Sequence, residues 1–112
     1  MRILTYTDEE IRQNINEIVF IKMDFSSNRF ETIQVKIEKI TAKQFNVVKP
    51  VKKIVRFSDV GLFSSYYCGY FFKKDVEVAV KEFKAKEIEK LENKIRNAKK
   101  EIEKIKNIET GK

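Results

Sequence analysis

The stretch Phe30-Glu31-Thr32-Ile33-Gln34-Val35-Lys36-Ile37-Glu38 decides the fold. Ile33, Val35 and Ile37 fall on one side of an extended chain, and Gln34, Lys36 and Glu38 fall on the other. Successive strand side chains point to opposite faces, so this alternation predicts a strand with one buried face. Upstream, Val19-Phe20-Ile21-Lys22-Met23-Asp24-Phe25 carries apolar residues at the odd positions, with Lys22 and Asp24 between them. Ser26-Ser27-Asn28-Arg29 joins the two as a turn, because Ser and Asn bond their own backbone and Asn tolerates positive φ.

Downstream the same grammar continues. Gln44-Phe45-Asn46-Val47-Val48 reads as a third strand, ended by Pro50, which has no donor for a ladder. Lys53-Ile54-Val55-Arg56-Phe57 reads as a fourth. After the loop Ser58-Asp59-Val60-Gly61, the aromatic run Ser65 to Phe72 reads as a fifth. Ahead of the strands, Thr7-Asp8-Glu9-Glu10 has the capping-box spacing, and Ile11, Ile15 and Ile18 form one face of a short helix over about 8–16. Five short strands with tight connections predict a small antiparallel barrel, since closure removes the open edges of a sheet. An SH3-like barrel is the leading expectation and an OB-like barrel the second.

From about Asp75 the period becomes helical. Val76, Val80 and Phe83 are spaced four and three, and no Gly or Pro occurs from 75 to 110. Ile88, Leu91, Ile95, Ala98, Ile102 and Ile105 then alternate three and four, the narrow seam of a heptad repeat. Glu77–Lys81, Glu82–Lys86 and Glu92–Arg96 are favourable i,i+4 pairs. Gly111 is the expected stop. The fold class is therefore α+β, with a short helix and barrel over 1–72 and a long charged helix over 73–112. At about 1.5 Å per residue such a helix outreaches a barrel of this size. It must project, fold back or pair. Three occupants of the seam stay open: the protein's own barrel, a second copy in a homodimer, or a foreign partner. A parallel homodimer sets Glu87 against Glu92 and Lys94 against Lys99, and only Glu101 attracts Lys106. An antiparallel arrangement brings Glu92 toward Lys106 and Lys94 toward Glu101 instead.

The 112 residues are 42% apolar and 37% charged, too apolar for a disordered chain and short enough for one core with an appendage. One Cys excludes a disulfide framework, and the absence of His excludes any triad with a His base. A zinc site lacks ligands, so no metal or cofactor is expected. No apolar run is long enough for a membrane span, and the start MRILTYTDEE lacks an apolar h-region. The expectation is a cytoplasmic protein with no membrane partner.

Net charge is +7 and unevenly placed. Between residues 36 and 56, Lys36, Lys39, Lys43, Lys49, Lys52, Lys53 and Arg56 stand against Glu38 alone. Small barrels bind RNA or DNA with such a basic face and exposed aromatics on which bases stack, here Phe45, Tyr66, Tyr67 and Tyr70. The competing reading is a solvated face whose lysines blunt sheet edges. Lysine far outnumbers arginine, which argues against specific base recognition. The uncharged segment Val60 to Phe72 reads either as an exposed aromatic binding patch or as a loop entering a buried central strand. Gly69 within it points to a bulge or a close backbone approach, and Cys68 to a small buried hydrophobe. Asp24, Glu31, Glu38 and Asp59 are the acids of the strand region, and none lies in a catalytic motif. No phosphate-cradling glycine motif occurs either. The chain is not expected to be an enzyme.

The stretch Val35-Lys36-Ile37-Glu38-Lys39-Ile40-Thr41-Ala42-Lys43-Gln44-Phe45-Asn46-Val47-Val48, followed by Val55-Arg56-Phe57, an aromatic strand and a helix opening at Lys73-Lys74-Asp75-Val76-Glu77, resembles small β-barrel proteins of phages and mobile elements of low-GC Firmicutes. The resemblance spans roughly 30–95. The chain departs from it in having Lys73 and Lys74 where Ser or Thr would cap the helix, and in its longer tail. It implies a non-enzymatic protein that binds a host protein or ribonucleoprotein, as inhibitors of CRISPR nucleases do. It assigns no site residues. The leading functional expectation is therefore an interaction protein that uses barrel face or helix to engage a host protein or ribonucleoprotein, with a bacterial defence nuclease as one candidate target. Behind it stand an RNA- or DNA-binding barrel using 36–56 and a structural dimer built on the helix.

Overall fold

A computed structural model describes residues 1–108, and the expected stop at Gly111 lies outside the described residues. The protein is α+β, with two antiparallel three-stranded sheets and a long C-terminal helix. The chain divides into two units, 1–82 and 83–112.

In the first unit, Thr7 caps α1 (Asp8–Gln13): its side chain accepts from the Glu10 backbone, and the Glu10 carboxylate answers the Thr7 N–H. The helix is only six residues long. A 3-10 turn, Ile15–Glu17, follows, and Ile18 is the first residue of β1 (Ile18–Asp24), not the last of a helix face. β2 (Arg29–Gln34) returns beside β1 through a turn in which Asn28 has φ 57°, the left-handed conformation its side chain allows. The second sheet follows in the chain as β3 (Lys36–Ile40), β4 (Gln44–Lys49) and β5 (Lys53–Arg56), hydrogen-bonded in that order. β6 (Cys68–Phe72) then returns to the first sheet on the other side of β1, giving the order β2-β1-β6.

The described residues thus contain six strands in two sheets rather than five in a closed barrel. The stretch read as one strand divides at Val35. Ile33 pairs across to Phe20 in the first sheet, and Ile37 to Val47 in the second. Ile33, Val35 and Ile37 are all half-buried, so the alternation of faces runs unbroken through the change of sheet. Periodicity reports which face is buried and carries no information about the partner strand.

The two sheets share a hydrophobic cluster. Ile18, Tyr70 and Phe72 from the first sheet meet Phe45, Val47 and Val55 from the second, with Ile11 of α1, Phe57 and Val60 between them. β1 is the central strand of its sheet and is buried on both faces: Ile18, Val19 and Ile21 are almost fully enclosed. This differs from the single buried face that alternation predicts. The Val60–Ser64 segment runs along β6. The Gly61 N–H donates to the Tyr70 carbonyl, and the Ser64 N–H to the Cys68 carbonyl. A Cβ on Gly69 would sit 2.1 Å from the Leu62 carbonyl oxygen, so only glycine admits this approach. Arg2 spans the same turn, its guanidinium donating to the Ser58, Val60 and Leu4 carbonyls.

A 3-10 turn, Lys73–Asp75, leads into α2 (Val76–Lys106). The Tyr6 hydroxyl donates to the Asp75 carboxylate at 2.7 Å, and the Tyr6 ring lies 4.3 Å from that of Phe72. Ala79 and Phe83 are buried. No helix among the described residues is long and apolar enough to cross a membrane.

Candidate partner-binding surfaces

The basic stretch is contiguous in sequence but not in space. Antiparallel pairing separates it into two ends of the β3-β4-β5 sheet. Lys36 stands directly across from Lys49, and Lys52 and Lys53 come at the turn that follows. Lys43 and Arg56 mark the opposite end, where Gln44 pairs with Arg56 and the Arg56 N–H donates to the Asp59 carboxylate at 3.4 Å. Lys39 lies between the two ends, in an outward row with Asn46 and Ile54. All seven basic residues are exposed.

Two of the four aromatics expected to serve them, Phe45 and Tyr70, do not. Phe45 faces inward and is fully buried, its ring 6.2 Å from Phe57 and edge-on to Tyr70 at 6.4 Å. Tyr70 is also buried, and burial pushes its hydroxyl pKa up, with the Cys68 thiol a smaller contributor. The outward row of the sheet offers an amide and an aliphatic side chain instead, with Ile54 58% exposed. The lysines are therefore point charges, and of the expected aromatics Tyr66 stays exposed and lines a cleft with Lys53. Like charges directly opposite on neighbouring strands destabilise a sheet. The Lys36–Lys49 pair is consequently a cost to the fold and a site suited to an anionic group.

The exposed aromatics lie elsewhere. Phe25, expected at the end of a strand, is 69% exposed on the turn after β1. Tyr66 is 81% exposed. Tyr67 packs its ring 5.9 Å from Phe25 and has φ 57°. A bulky side chain in the left-handed region is strained by about 1–2 kcal/mol. Its backbone is held there: the Tyr67 N–H donates to the Ser64 carbonyl, and the Tyr67 carbonyl accepts from the Met23 N–H. Asp24 fixes the neighbouring turn, accepting from Ser26 and Ser27, and these bonds hold its carboxyl below the ordinary carboxylate range.

Next to this aromatic lip a cleft of about 510 Å³ opens, a size typical of ligand pockets. Its buried lining is Val55, Phe63, Gly69 and Tyr70, with Phe20 and Leu62 half-buried, and Met1, Lys53, Asp59, Ser64 and Tyr66 are its exposed members. Lys53 is thus the one basic residue of the 36–56 stretch that borders both features. Cys68 also lines the cleft, half-exposed rather than buried as expected, with Sγ 3.1 Å from the Ser64 hydroxyl. The run Val60 to Phe72 therefore contains a buried strand, β6, at the edge of its sheet and not at the centre as expected, preceded by a turn that exposes Tyr66. Sequence pattern missed Phe25 because the alternation of β1 continues through it; the signal that it has left the strand is the Ser-Ser-Asn turn directly after it.

In the second unit every residue of the heptad seam is exposed. Ile88, Leu91, Ile95, Ile102 and Ile105 range from 51% to 67%, and Ala98 is exposed with them.

No protein family matches the chain, and neither does any curated protein or any solved structure.

Proposed function

We propose that the chain is a non-enzymatic interaction protein that grips a protein partner with the aromatic lip and cleft of its first unit. The observation that carries this reading is the exposure of Phe25 and Tyr66 around a strained Tyr67. Large exposed aromatics work against solubility, and a left-handed tyrosine works against stability, so the turn favours something other than folding. Tyr and Phe are the side chains that anchor protein interfaces, giving large contact area at low entropic cost. The resemblance to phage and mobile-element proteins suggests the partner class: a host protein or ribonucleoprotein, with a bacterial defence nuclease as the leading candidate.

One observation favours a second reading. The cross-strand pair Lys36–Lys49, with Lys52 and Lys53 beside it, suits the phosphates of a nucleic acid. The two readings are separated by cross-linking the protein in a nuclease-treated bacterial lysate. The expected result is a specific adduct lost in the Phe25→Ser/Tyr66→Ser variant and kept in Lys36→Glu/Lys49→Glu. Light scattering with a mixed short RNA and DNA pool at low salt should then leave the mass unchanged. A mass that rises with the pool, and falls back as salt releases the bound phosphates, would overturn the first reading in favour of the second.

A further inference from the structure

The exposed seam of α2 has a geometry of its own. Ile88 follows the buried Phe83 by five residues, a rotation of about 140° around the helix. Leu91, Ile95, Ala98, Ile102 and Ile105 fall between about 40° and about 120° from Phe83 on the same geometry, so the stripe as a whole is centred about 90° round from Phe83. An apolar stripe that starts afresh at a new angle, with every member exposed, needs an occupant.

We infer that the occupant is the same face of a second copy, running antiparallel. Reversing one helix places a positions over d positions. One register then stacks all six residues: Ile88 on Ile105, Leu91 on Ile102 and Ile95 on Ala98, each layer occurring twice. The smallest side chain of the seam meets a large one, so the layers keep nearly even thickness. A parallel pair would set Ala98 on Ala98 and leave a gap between isoleucine layers.

The flanking charges choose the same arrangement. In this register Glu92 comes beside Lys99 of the second copy, and Lys94 beside Glu101 of the second copy. Symmetry doubles both, giving four attractions and no repulsion among these pairs. Fixing the register by the apolar layers thus moves Glu92 to Lys99 rather than Lys106. In the parallel pair, Glu87–Glu92 and Lys94–Lys99 repel, and only Glu101–Lys106 attracts. The pairing uses the second unit alone and is independent of the cleft.

Charge reversal tests both the pairing and its direction on the full chain. Lys94 and Glu101 are exposed, and circular dichroism verifies that each variant keeps its helix. Sedimentation over a concentration series should show a monomer–dimer equilibrium for the wild type. Lys94→Glu turns two attractions into two repulsions and should weaken the dimer about tenfold. Lys94→Glu/Glu101→Lys restores opposite charges and should recover the wild-type constant. A parallel dimer predicts the reverse for the single change, because the introduced carboxylate would then attract Lys99. A tighter Lys94→Glu dimer, an unaffected one, a double variant without recovery, or a wild type that stays monomeric overturns the inference.

Discussion

Tyr6 shows how one side chain ties together residues distant in sequence. Its hydroxyl donates to Asp75 at 2.7 Å while its ring packs at a tilt against Phe72. Burial is the largest reason that its pKa rises well above the ordinary value of 10.0, followed by the hydrogen bond to Asp75 and the carboxylate's charge. The sign of the pH dependence follows. Below about pH 10 tyrosine is neutral in both the folded and unfolded chains, and its ionisation has no effect on stability. Above that, the unfolded chain releases the proton and the folded chain keeps it, so stability falls as pH rises. Tyr70, raised by burial as well, acts in the same direction. Tyr6→Phe should cost about 1 kcal/mol near neutral pH through loss of a half-exposed bond to a charged acceptor. It should also flatten the alkaline decline. Urea midpoints measured from about pH 7 to about pH 11, across the ordinary tyrosine pKa, test both. A wild-type and variant difference that stays constant through the alkaline half of that range would disprove the linkage. At this scale Gly69 was readable in advance, since a glycine within a strand signals close backbone approach, and the Leu62 carbonyl supplies it. Tyr67 was not readable, because nothing local marks a tyrosine for a left-handed backbone.

Among elements, the second sheet is built against its own charges. Lys36 and Lys49 face each other across β3 and β4, and bulges in register follow between Lys36 and Lys39. Replacing Lys49 with Glu turns a repulsive cross-strand pair into an attractive one. The fold should gain about 0.5 kcal/mol, seen as a higher denaturation midpoint. If phosphate is bound at this end of the sheet, the same change should weaken that binding, so stability and affinity would move in opposite directions. A midpoint that falls would mean that the lysines do not interact as the register places them. The element boundaries explain what pattern reading achieves. Thr7 and Glu10 made the start of α1 legible, because a capping box is a local chemical arrangement. Its end was not, because Ile18 continues the helical spacing while its backbone already pairs with Phe72. The division at Val35 was hidden for the related reason that two successive partner strands bury the same face. The basic stretch was legible as a run of lysines; its separation into two ends required the register.

For the molecule as a whole, burial stops where the heptads begin. Among the described residues, the last buried hydrophobic is Phe83, and every large apolar residue from Ile88 onward is exposed. The core cluster draws all its members from residues 11–72. The hydrophobic term that stabilises the sheets therefore owes nothing to the seam, since burial and not helix length sets that term. A chain ending at Glu87 retains every buried hydrophobic residue. It should unfold cooperatively in urea, with a midpoint close to that of the full chain measured at a concentration where the full chain is monomeric. It should also lose helical circular dichroism in proportion to the residues removed, and sediment as a monomer at every concentration. A truncated chain that folds yet dimerises with the wild-type constant would place self-association on the sheets and remove the seam's role. One that loses its cooperative transition would show that the removed helix contributes to the stability of the core, against the burial pattern that argues otherwise.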